Sequence, residues 1–172
     1  MSAKRRLSVG SLLLLVVLAS LCLNSCGKTE EDKVKGMDLP LNAKRALLKV
    51  SKELYPKAQK RIDELIGKHV PLLVDWKSMA HYDEAYTTVE RYRTYGFDPI
   101  VKAIEEVAKD EAGKSALAAK LERIELSGKP DEESGKPENL SFKDGVLKMI
   151  QGFDGDGCWD ERWVKEALEE GL

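Results

Sequence analysis

Leu140-Ser141-Phe142-Lys143-Asp144-Gly145-Val146-Leu147-Lys148-Met149-Ile150 is the stretch that decides the class of this chain. Two short apolar segments flank Lys143-Asp144-Gly145, and an Asp-Gly pair supplies the positive φ angles that a tight hairpin turn requires. A lone hairpin is marginal in water, so other strands or helices must cover it. Toward the N-terminus, Ile124-Glu125-Leu126 reads as a further strand. Val70-Pro71-Leu72-Leu73-Val74-Asp75-Trp76 reads as another, with Pro71 suited to its beginning or to a sheet edge. Toward the C-terminus, Asp160 is placed to cap a helix over 161–170.

The remaining periodicity is helical. Ala43, Ala46, Leu47, Val50 and Leu54 recur at helical spacing behind Asn42, which is placed as a cap. Pro56 should break or kink that helix before it resumes over 58–66 and stops at Gly67. A second block runs from Tyr82 to Tyr95, with Gly96 as its C-terminal stop. Asp98-Pro99 then caps and opens a helix to about Ala108. Gly113 either separates this from a helix over 115–123 or lies within it. Ser127-Gly128-Lys129-Pro130-Asp131 and Ser134-Gly135-Lys136-Pro137-Glu138 are near repeats in one polar loop. The order predicts a single α+β domain over 41–172, helix-rich, with a small, mainly antiparallel sheet that includes the hairpin at about 140–150.

The N-terminus carries an address. Lys4, Arg5 and Arg6 precede a largely apolar run from Leu7 to Leu23, the layout of a secretory signal peptide. The run is short and serine-diluted for a spanning helix, which needs about 20 apolar residues. Leu23-Asn24-Ser25-Cys26 resembles the lipobox of bacterial lipoproteins, although Asn24 is a less usual occupant of its place. The resemblance implies cleavage between Ser25 and Cys26 by signal peptidase II, and a diacylglycerol on the Cys26 thiol. It therefore implies a partner, the lipid bilayer. Multiple acyl chains make such anchoring durable, at about 0.8 kcal/mol per buried CH₂. Gly27 follows Cys26 where enteric inner-membrane retention uses Asp, which favours the outer membrane of the cell envelope. Residues 1–25 are then the signal peptide, and residues 26–40 the lipidated N-terminus with a flexible polar tether.

Removing 25 residues leaves 147 of 172, with 25 basic residues against 30 acidic ones. This length suits one domain. The net charge of −5 argues against a nucleic-acid partner. Charged residues are mixed in sign along the chain, so no polybasic membrane-binding block is expected. With Cys22 removed and Cys26 acylated, only Cys158 is left as a thiol, and no intramolecular disulfide can form.

Asp154, Asp156, Asp160 and Glu161, among glycines, are the candidate metal ligands, with Ca²⁺ the cation such oxygens favour. No EF-hand register fits, and a glycine-rich turn before a capped helix explains the same residues. Trp76, Tyr82, Tyr86 and Tyr92 form a candidate ligand groove for a sugar or peptide, against the reading of a core stripe with hydroxyls reaching the surface. His81 has only His69 as a second imidazole. The segment 108–115 imitates a P-loop without its first glycine or its preceding strand. The reading leans to a binding or scaffold module that touches an envelope protein or cell-wall component. The alternative is an envelope enzyme, such as a metal-assisted hydrolase using residues 154–161.

Replacing Cys26 by Ala (Cys26→Ala) should release the protein from the membrane fraction or leave it uncleaved. Fractionation and intact mass report this, and unchanged lipidation and fractionation would overturn the assignment.

Overall fold

The computed structural model describes residues 27–80, 88–129, 136–152 and 158–172. The fold is α+β: helices covering one face of a four-stranded sheet. The strands are β1 (Leu72–Val74), β2 (Arg123–Gly128), β3 (Leu140–Lys143) and β4 (Val146–Gln151), in the order β1-β2-β4-β3. The helices are α1 (Glu30–Lys35), α2 (Leu41–Lys49), α3 (Tyr55–Ile66), α4 (Val89–Arg91), α5 (Asp98–Val107), α6 (Glu111–Lys120) and α7 (Glu161–Gly171).

The hairpin forms as its turn chemistry requires. Asp144 and Gly145 take φ of 50° and 78°, and Phe142 pairs with Leu147. The sheet, however, is mixed and not mainly antiparallel: β1–β2 and β2–β4 are parallel, and only β3–β4 is antiparallel. The cause is connectivity. Helices stand between β1 and β2, and they provide the long crossover a parallel pair needs. The chain then skips one position to lay down β3, and the hairpin returns β4 to the centre.

Register puts Leu72, Ile124, Leu147 and Phe142 in one row, and Val74, Leu126, Met149 and Leu140 in another, on the covered face. Ile124, Leu147 and Met149 are wholly buried there. Between these rows Leu73, Glu125, Lys148 and Ser141 align on the opposite face, where Leu73, Lys148 and Ser141 are exposed. Strand alternation puts these two sets of side chains on opposite faces of the sheet.

Pro56 and Pro99, the two prolines within long helical stretches, each lie just beyond a π turn. Residues Val50–Leu54 precede Pro56 and Tyr92–Phe97 precede Pro99, closed by Tyr55 N–H to Val50 O and Asp98 N–H to Arg93 O. A proline within an α-helix lacks its N–H and collides with the carbonyl four residues back, at a cost of about 3 kcal/mol. The extra residue of a π turn resets the phase before the ring arrives. Helix therefore continues through 41–66 without a break at Pro56, and through 89–107. Gly96 is no C-terminal stop but is buried inside the π turn, and Asp98 has helical φ and ψ instead of capping geometry. The described part of the expected 82–95 helix begins at Val89. At the other start, Pro40 occupies the cap position without a side-chain bond, and Asn42 lies inside the helix. Gly113 lies in the first turn of α6, where a Cβ would come 1.9 Å from Val107 O.

The expected flexible tether over 26–40 is the largest departure. Thr29 and Asp32 form a capping box, the Thr29 hydroxyl and amide hold the Asp32 carboxyl below its usual pKa, and α1 follows. Val34 is wholly buried, and Trp76 Nε1–H donates to Glu30 at 2.6 Å. Full burial of one valine is worth about 1.5–3 kcal/mol, and α1 is thereby docked against α2 and the first π turn.

The junction of α3 with β1 is set by two side chains. Gln59 accepts from Leu72 N–H and donates to Val70 O and to Asp63, each at 2.8 Å. Asp63 also accepts from Val70 N–H at 3.0 Å and meets His69 Nδ1 at 2.8 Å. Partial burial pushes the Asp63 carboxyl up, but the bonds from His69, Val70 and Gln59 outweigh it and hold the pKa below its usual value. The charged form is thus favoured in the folded state. Its contribution is present above the unfolded value of about 4 and is lost as pH falls through the folded one. Asp63→Asn should cost about 1–3 kcal/mol at pH 7 and flatten the acid limb below about pH 4 in urea melts. An unaltered acid limb would remove Asp63 from this role.

Candidate functional site

Trp76 and Tyr92, half of the expected groove, are core residues. Trp76 is 1% exposed and meets Tyr55 edge-on at 6.1 Å. Tyr92 is wholly buried, its hydroxyl donates to Met79 O at 2.7 Å, and burial raises its pKa. Burial is also the main cause that pushes Tyr55 up to about 12, with the charges of Glu30 and Asp63 adding. Neither Trp76 nor Tyr92 presents a ring to a ligand. Tyr82, Tyr86 and His81 lie outside the described residues.

Of the candidate metal ligands, Asp160 caps α7, accepting from Arg162 N–H and Trp163 N–H at 3.0 and 3.2 Å. Glu161 is exposed in the first turn, and Asp154 and Asp156 lie outside the described residues. Among the described residues no group of three or more His, Cys, Asp or Glu is arranged to hold a metal ion. Cys158 is half-buried, and its thiol donates to Gly152 O at 3.2 Å. Ser25 and Cys26 also lie outside the described residues.

A different aromatic pair, not among the residues expected to form a groove, lies at the start of α7. Trp159 and Trp163 meet edge to face, with centroids 6.2 Å apart and planes at 73°. Trp159 is pinned from three directions. Its ring N–H donates to Ile150 O at 3.1 Å, its amide donates to Gln151 Oε1 at 2.9 Å, and its carbonyl accepts from Gln151 Nε2 at 3.3 Å. Gln151 is wholly buried at the end of β4, so an amide that would be costly unpaired fixes the start of α7.

Trp163 is 45% exposed, one of three large apolar residues so open among the described residues. Arg162 lies over its ring at 4.9 Å. One stripe of α7 presents Trp163, Glu166, Ala167 and Glu170. With Pro137, Leu140 and Trp159 they line a cleft of about 340 Å³. Among the described residues neither Glu166 nor Glu170 has a basic partner within ion-pair distance. The cleft offers an open indole on a fixed indole, with two carboxylates beside it. That suits a flat or apolar group carrying amine or hydroxyl donors.

A periodicity argument could have found Trp163, because Val164 and Leu168 define the core stripe of α7 and Trp163 falls beside it. The open sheet face has a second depression of about 390 Å³, around Leu73, but Lys33, Asp75, Glu125 and Lys148 surround it with mixed charge. Comparison with protein-family models, with curated proteins and with solved structures finds no match to this chain.

Trp159→Ala should destabilise the fold by about 3–5 kcal/mol, as for large buried aromatics. Trp163→Ala should cost less than about 1 kcal/mol, as exposed positions do. Paired urea melts measure both, and equal losses would mean that Trp163 is structural.

Proposed function

We propose that this chain is a lipid-anchored binding module of the bacterial cell envelope, attached through Cys26 and touching its partner through the Trp163 cleft. The anchor rests on the basic head, the apolar run and the Leu23–Cys26 pattern, and the envelope location follows from it. The residue after Cys26 favours the outer membrane. The observation that carries the binding role is the exposed indole of Trp163, seated on pinned Trp159 and flanked by two carboxylates that no base among the described residues meets. An exposed tryptophan on a rigid support is the usual form of an interface anchor, because little side-chain freedom is lost on contact. The partner is an envelope protein or cell-wall component bearing amine or hydroxyl donors.

The test is photo-cross-linking in intact cells from a probe at Ala167, with membrane fractionation alongside. Discrete cross-links that disappear with Trp163→Ala and weaken with Glu166→Lys are expected while the protein remains anchored. Cross-links unchanged in both variants would show that this cleft is not the contact.

A further inference from the structure

Charge is unevenly distributed along the chain, and the fold gathers part of the excess onto one face. Residues 41–61 hold seven basic side chains and one acid, Glu53. The rest of residues 26–172 holds 18 basic and 29 acidic residues, so a +6 segment sits in a body of −11. Arg45, Lys49 and Lys52 are exposed and follow one another at helical spacing from α2 into the first π turn. Among the described residues none of them has a carboxylate within ion-pair distance, and Lys28 has none either. Leu41, 63% exposed, heads the same row.

The root of the chain lies beside this row. Lys28, Thr29, Glu30 and Glu31 line one depression together with Ser51, Lys52, Tyr55 and Pro56. The acids there are already met: Glu30 by Lys33 at 2.5 Å and by Trp76, and Glu31 by Lys35 at 2.9 Å. Because α1 is docked and begins at Glu30, only Gly27, Lys28 and Thr29 separate Cys26 from the folded body. Three residues span at most about 11 Å when fully extended.

We infer that the face formed by Lys28, Leu41, Arg45, Lys49 and Lys52 lies against anionic lipid headgroups, held there by the short link to Cys26. This rests on Cys26 carrying the lipid. A leash comparable to the Debye length of about 8–10 Å keeps these charges within range of the surface potential. Each base near an anionic surface then shifts the balance about fivefold toward contact. The opposite end of the molecule is equally defined. β1 runs toward Trp76 and Glu30, β4 is parallel to it through β2, and the Asp144-Gly145 turn begins β4 at the far end of the sheet.

The experiment uses the full chain, processed in cells, purified and placed in phosphatidylcholine vesicles with or without phosphatidylglycerol. Cys158→Ser removes the remaining thiol, and Glu53→Cys or Asp144→Cys carries an environment-sensitive dye, so every base is kept. Intact mass of the purified protein reports acylation of Cys26. Several-fold stronger quenching by headgroup-labelled lipid is expected at 53 than at 144, only with phosphatidylglycerol. It should vanish at 1 M salt and in the Arg45→Gln/Lys49→Gln/Lys52→Gln variant, whose thermal melt checks its fold. An acylated protein with equal quenching at both positions, or quenching indifferent to phosphatidylglycerol, overturns this orientation and leaves the anchor standing. That result would assign the basic face to an anionic protein or polymer. An unacylated Cys26 overturns the anchor, and this inference with it.

Discussion

A sheet whose rows Leu72-Ile124-Leu147-Phe142 and Val74-Leu126-Met149-Leu140 are wholly apolar has one face that water rejects, and the helices are arranged to cover it. Ile124, Leu126, Leu147 and Met149 set that face, and residues from α2, α3 and α5 to α7 complete the same core. Their burial supplies the main favourable term in folding. The helices must therefore stay long enough to span the sheet despite Pro56 and Pro99. The π turns meet that requirement by absorbing one residue ahead of each ring. The Gln59–Asp63 pair then fixes where helix yields to strand.

Much of this was legible in the residues. Asp144-Gly145 named its own turn, because few sequences tolerate two consecutive positive φ angles. Asp160 announced α7, and Pro71, suited to a strand's beginning or to an edge, immediately precedes β1, which lies at the edge of the sheet. Strand direction was hidden, because hydrophobic alternation is the same for parallel and antiparallel neighbours and only the connection distinguishes them. The π turns were also hidden. A proline in a helical pattern signals a break, and nothing local says that the preceding turn has widened.

The candidate site was read less well, for a related reason. Tyr92 and Trp76 carry polar tips, which suggests an exposed groove, but each tip is satisfied inside the protein by Met79 O or Glu30. Trp163 belongs to an ordinary amphipathic terminal helix, and only its seat on Trp159 sets it apart. The basic residues of 41–61 are spaced three to five apart or in adjacent pairs, so no run stands out along the chain. Helical geometry gathers them. The polar segment after Cys26 likewise concealed a Thr29–Asp32 capping box and a single buried valine.

The position of β4 has a consequence for when this fold can exist. It is the inner strand that joins β2 to β3, yet it is encoded after every element except α7. A chain emerging N-terminus first has only the three-residue β1 to pair with β2 until residues 146–151 appear. Its central contacts are long-range in sequence, and topology of that kind slows folding. The nascent polypeptide thus lacks a complete sheet for most of its synthesis. Under the proposal that an N-terminal signal threads this chain across a membrane, late closure would keep it pliable until the passage is nearly over.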